Sequence, residues 1–60
     1  MTVKDLYLVL PDEQVIFIED YAKELNSYAG IADNIPLELF SKEVVNVESL
    51  DHDTIYIACE

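Results

Sequence analysis

Sixty residues make one small domain, and thirteen acids against three lysines, with no arginine, leave a formal charge of -10. A chain of this size buries only about 60% of the surface its unfolded form exposes, so it is marginally stable and commonly reinforced from outside. One cysteine and one histidine exclude an internal disulfide and a zinc set, and the shortage of basic residues excludes direct binding of nucleic acid or of an anionic membrane.

Thr2 suits a helix N-cap, with Asp5 at the third helical position in a variant of the capping box. Val3, Leu6, Tyr7 and Leu10 then share one helical face, and Pro11 stops the helix. Leu8 and Val9 lie off that face and suggest a second apolar contact. The apolar residues after Met1 are broken by Lys4 and Asp5, too short a run for a secretory signal or a membrane span. With a lone thiol, the expected address is the reducing cytoplasm of a host cell.

Val15-Ile16-Phe17-Ile18, closed by Gln14 and by Glu19-Asp20, is the most continuously apolar and β-branched run. It reads as a central strand over 14–19, buried on both faces or nearly so. Residues 20–29 read two ways. Tyr21, Leu25, Tyr28 and Ala29 have helical spacing, whereas Leu25, Ser27, Ala29 and Ile31 alternate as a strand. The central run needs a neighbour, which selects a strand at 24–30 ending at Gly30. Pro36 suits a first helical position, with Leu37, Leu39 and Phe40 filling a short second helix. Residues 43–49 alternate as a strand, Leu50-Asp51-His52-Asp53 turns, and 54–59 close the chain. The expected fold is α+β in the order αββαββ. Two hairpins make one antiparallel sheet of four strands, covered by the N-terminal helix and the short second one.

This layout carries a resemblance. Val3-x-Asp5-Leu6-x-x-x-Leu10, Gln14-Val15-x-Phe17, Tyr28-x-Gly30, Ile35-Pro36-x-x-Leu39 and Val44-x-x-Val47 together resemble small acidic proteins encoded by phages and prophages of Gram-positive bacteria. That type has Asp-Ile-Pro where this chain has Asp33-Asn34-Ile35-Pro36, and a polar residue in place of Leu8. The resemblance implies a strand at 24–30 and a phage setting. No functional residue carries over from it.

Asp51-His52-Asp53 is the densest group of chemical side chains, but alternating turn residues seldom converge on one ion, and the glycine and further oxygens of a calcium loop are missing. Cys59, among acids, has its thiolate disfavoured. Acid pairs such as Asp12/Glu13 and Glu19/Asp20 would need a pocket that so small a domain hardly offers. No catalytic, cofactor or metal site is expected, and the chain is read as no enzyme.

The expected function is therefore interaction. Carboxylates gathered on one face would imitate DNA, which carries one charge per about 1.7 Å of axis, and would bind and inhibit a basic host protein such as a defence nuclease. Asp12, Glu13, Glu19, Asp20, Glu48, Asp51 and Asp53 are the candidates for that partner surface. A composition that is 52% hydrophobic favours a homodimer, with Tyr7, Leu8, Val9, Tyr28 and Tyr56 as candidate self-interface residues. The alternative is an assembly module whose apolar surplus drives oligomerisation and whose acidity serves only solubility. Capture of a phosphate-bearing ligand ranks below both, for want of arginine.

Overall fold

The computed structural model describes residues 1–23 and 25–60, with Leu25 and Asn26 described by their backbone. Glu24, placed at the start of the second strand in the sequence reading, lies outside the described residues. Helix α1 spans Val3–Tyr7, and the strands are β1 Val15–Asp20, β2 Leu25–Ile31, β3 Val44–Ser49 and β4 Thr54–Cys59. The fold is α+β, and its four strands form a sheet in the order β2-β1-β4-β3.

The capping box forms: the Asp5 amide donates to Thr2 Oγ1, and the Thr2 amide donates to Asp5 Oδ2 at 2.9 Å. These bonds satisfy helix-end donors that would otherwise lack partners. The Thr2 amide also holds the Asp5 carboxyl below its ordinary pKa. Leu10 still bonds back to Leu6, and Pro11 ends the turn. Five regular residues cannot hold a helix in water unaided. Packing fixes α1 instead: Val3 is fully buried, and the Tyr7 ring lies 4.9 Å from that of Phe40.

Two expectations need correction. The sheet is mixed rather than antiparallel: β1–β2 and β3–β4 are antiparallel hairpins, but β1 and β4 run parallel, in register from Val15↔Thr54 to Asp20↔Cys59. The cause is the segment 32–43. It returns from one end of the sheet to the other along the core face, burying Ala32, Ile35 and Leu39, and so starts β3 at the end where β1 finishes. Parallel strands require such a crossover. The second helix is replaced on this path by two single 3-10 turns, Ala32–Asn34 and Leu37–Leu39, with Pro36 just before the second.

The central strand is also not buried on both faces. Ile16, Ile18 and Asp20 are fully buried, whereas Val15, Phe17 and Glu19, on the opposite face, keep contact with solvent. All the described helical turns lie on the Ile16/Ile18 side, where Ile57, Val3 and Leu39 complete the core. Among the described residues, no layer covers the Phe17 face. Sixty residues suffice for one layer over a four-stranded sheet.

Edge strand β2 carries its own closure. Gly30 lies beneath the Tyr28 ring, so near that an added Cβ would meet the hydroxyl at 2.6 Å. That hydroxyl donates to the Ile31 carbonyl at 2.6 Å. Glycine here is a matter of space for the aromatic ring. The register with β1 skips Ser27, whose buried hydroxyl finds no partner.

The one-layer core yields a stability prediction. Truncating a buried aliphatic side chain costs about 2–5 kcal/mol, and a domain of this length has only about 3–9 kcal/mol in total. Ile18→Ala should leave the protein largely unfolded in urea titrations near neutral pH. Phe17→Ala, one residue away on the open face, should lower the midpoint far less. Equal losses would mean that something covers Phe17.

Candidate interaction surface

Three turns meet where β1 and β4 begin, and hydrogen bonds knit them together. Gln14 Nε2 donates to the Asp53 carbonyl at 2.7 Å and to the Val15 carbonyl at 3.0 Å, tying the first turn to the last. The Asp33 amide donates to the Asp12 carbonyl at 3.0 Å, and the Ala32 amide to the Gln14 carbonyl at 2.9 Å. Within the last turn the Asp53 amide donates to Asp51 Oδ1 at 2.8 Å, an Asx turn, and Ser49 Oγ donates to the Asp51 carbonyl.

These bonds place Asp12, Glu13, Asp33, Asp51 and Asp53 at one end of the sheet, all with exposed side chains. Beside them, His52 Nε2 lies 3.0 Å from Asp53 Oδ2. Between the first and last turns lies a shallow depression, open to solvent and lined by Pro11, Glu13, Gln14, Val15, His52 and Asp53. An open saucer of this kind does not bury a small ligand as a binding cleft does.

The lysines sit elsewhere. Lys42 precedes β3 and Lys23 follows β1, both at the opposite end, and Lys4 in the first turn of α1 bonds through its amide to the Phe40 carbonyl. Asp20 belongs to that end too. It was expected on the partner surface, but is fully buried, because it follows Ile16 and Ile18 on the core face. Its Oδ1 accepts from the Ala22 amide at 3.0 Å, while Oδ2 faces Lys42 Nζ at 3.4 Å, a charge contact without a well-formed hydrogen bond. Burial pushes the Asp20 carboxyl up, but the Ala22 amide and Lys42 outweigh it and hold the group below its ordinary pKa. The neighbouring Cys59 thiol is buried and pushed up, by desolvation first and by Asp20 second.

Glu19 also lies away from the acidic turns, half-buried, and accepts from the Tyr56 hydroxyl at 2.8 Å. That bond pushes the phenol's pKa upward. Glu48 is exposed and lies beside Tyr56 across the β3–β4 pairing. The structure thus brings together Asp12, Glu13, Asp51 and Asp53, and leaves Glu19, Asp20 and Glu48 outside the group. Asp33 joins it unforeseen. Its signal lay in the turn chemistry of Asp33-Asn34, but only the β1–β2 register puts that turn beside Asp12.

The candidate self-interface residues do not share a surface. Leu8 and Val9 are 66% and 76% exposed, beside α1. Tyr7 and Tyr28 are half-buried around the core, and Tyr56 stands on the opposite face of the sheet. Among the described residues, no group of three or more His, Cys, Asp or Glu could hold a metal ion, and no helix is long and apolar enough to cross a membrane. Compared with protein-family models, curated proteins and solved structures, the chain gives no match.

The Asp20–Lys42 contact predicts a specific acid response. Because the folded-state pKa of Asp20 is depressed, its contribution is present above the ordinary carboxylate value, 3.8, and is lost as pH falls through the folded value. Asp20→Asn should reduce stability at pH 7 and flatten its dependence on pH below about 4, as read by urea midpoints at each pH. An unchanged acid limb in Asp20→Asn would contradict this.

Proposed function

We propose that this chain is a non-enzymatic, phage-encoded interaction protein that binds and inhibits a basic, nucleic-acid-binding host protein through the acidic turns at one end of its sheet. The observation that carries the reading is the gathering of five exposed acids at an end of the sheet without a lysine. Asp12, Glu13, Asp33, Asp51 and Asp53 are exposed on turns locked to one another, while Lys23 and Lys42 lie at the opposite end. Acidity that served solubility alone would be as effective spread over the surface. Gathering like charges instead costs self-repulsion and creates a directed field, which speeds and orients encounter with a positive groove.

The turns suit the task because hydrogen bonds through Gln14, Asp51 and Asp33 fix their backbones before any partner arrives. A preformed surface loses less entropy on binding. Carboxylates supply acceptors that arginine and lysine side chains meet with charge-assisted hydrogen bonds, as they meet phosphates. The alternative, an assembly module with acidity for solubility, makes the location of the acids immaterial.

That difference is the test. Asp12→Asn, Glu13→Gln and Asp53→Asn in one chain, or Glu38→Gln, Glu43→Gln and Glu60→Gln in another, each change the formal charge from -10 to -7 (-10 + 3). Immobilised protein should retain a nucleic-acid-binding host protein that duplex DNA displaces and that elutes between about 0.1 and 0.5 M salt. The acidic-turn variant should weaken that binding at least tenfold, and the control variant should leave it nearly intact. Equal weakening by both, or retention indifferent to DNA and salt, would overturn the proposal.

A further inference from the structure

The face of the sheet opposite the core has a composition of its own. Val15, Phe17 and Glu19 of β1 lie on it, and strand pairing adds Ile31 from β2, Tyr56 from β4 and Glu48 from β3. Val15 is 41% exposed, and Phe17, Ile31 and Tyr56 are partly so. Tyr21, just beyond β1, is 50% exposed, with its hydroxyl beside that of Tyr56. Since the sheet order is β2-β1-β4-β3, Ile31, Phe17 and Tyr56 form an apolar and aromatic strip across three adjacent strands. Among the described residues, no layer covers it.

The charges on this face have one sign. The four strands hold no lysine, and their charged residues are Glu19, Asp20 and Glu48. Asp20 is buried on the core side. Glu19 and Glu48 remain, on the two strands that flank Tyr56. The Tyr56 hydroxyl donates to Glu19 Oε1 at 2.8 Å, but a carboxylate offers about four acceptor sites. Both acids therefore keep room for an incoming donor.

We propose that this face docks a basic amphipathic helix of a partner protein. Its apolar side lies on Val15, Phe17 and Ile31, and its Lys or Arg side chains reach over Tyr56 to Glu19 and Glu48. Charge complementarity selects that occupant. A cation above Tyr56 gains the face of the ring and charge-assisted hydrogen bonds to both carboxylates. A second copy packed face to face would instead bury Glu19 and Glu48 of both molecules in one layer, with no strand lysine to pair them. A nucleic acid has the wrong sign, and an open sheet lacks the concavity that holds a small ligand.

The dimensions agree. Four strands spaced about 4.8 Å apart make a face about 14 Å wide, and six-residue strands are about 20 Å long. A helix of about 13 residues has that length and would supply the layer this side of the sheet lacks. The inference rests on the open face and not on the acidic turns.

The test is a selection with a defined probe. Displayed peptides of about 14 residues carry apolar residues at helical spacing, with the other positions drawn from Lys, Arg, Glu, Gln and Ser. Those retained by the immobilised chain should be rich in Lys or Arg and poor in Glu. They should become helical on binding, by circular dichroism, with Kd between about 1 and 100 µM, as suits a small interface. Phe17→Ala, once urea titration shows it folded, should weaken them at least tenfold. Glu19→Gln with Glu48→Gln, which changes the charge from -10 to -8 (-10 + 2), should do the same. Glu38→Gln with Glu60→Gln, of equal charge, should change binding little. No retained peptide, retained peptides rich in Glu, binding without helix formation, or equal weakening by the two double variants would each overturn the proposal. Binding lost with Asp12→Asn, Glu13→Gln and Asp53→Asn but kept with Phe17→Ala would overturn it too, while supporting the acidic turns as the recognition surface.

Discussion

The parallel pairing of β1 with β4 is the contact on which the rest of this structure depends. It joins two hairpins distant in sequence, and its register, from Val15↔Thr54 to Asp20↔Cys59, decides which groups meet at each end. At the Val15 end it brings the turn 11–14 against the turn 50–53, close enough for Gln14 to bond the Asp53 carbonyl. At the Asp20 end it buries a carboxylate and a thiol side by side and leaves Lys42 as the compensating cation. A register shift of one residue would turn Ile16 and Ile18 to solvent and draw Phe17 inward. The core and the gathering of acids at the Val15 end therefore stand or fall together.

Much of the fold was legible in local pattern. The β-branched runs at 15–18 and 54–57, the alternation before Ser49, the cap at Thr2 and the stop at Pro11 each reflect a preference the backbone exerts on its own. Within the ambiguous stretch the part from Leu25 resolved as a strand, because the central run needs a neighbour for its amides and carbonyls. What local pattern could not supply was how the hairpins join. Two hairpins can meet by any of their edges, and the parallel choice follows from the crossover 32–43, whose Ala32, Ile35 and Leu39 look like any short apolar set until they are seen covering the sheet.

The site was legible only in part, for the same reason. Asp12, Glu13, Asp51 and Asp53 were recognisable as turn acids, but their meeting is a property of the β1–β4 register. Asp20 was misread because a carboxylate after an apolar strand ordinarily marks the exit to solvent. Strict alternation from Ile16 through Ile18 does put it on the core face, and that signal was present in the sequence. An ionised group there is tolerable only because the Ala22 amide and Lys42 replace part of its lost hydration.

A domain with one layer over its sheet has few ways to gain stability, since its core is small and its one cysteine cannot close an internal disulfide. Its two sheet edges are guarded instead by local devices. On β2 the Tyr28 hydroxyl occupies the Ile31 carbonyl at the cost of requiring glycine at position 30, and β3 is interrupted by a β-bulge between Val44 and Asn46. Pairing across the strands holds the fold together, and the β1–β4 register along them decides which acids meet at one end.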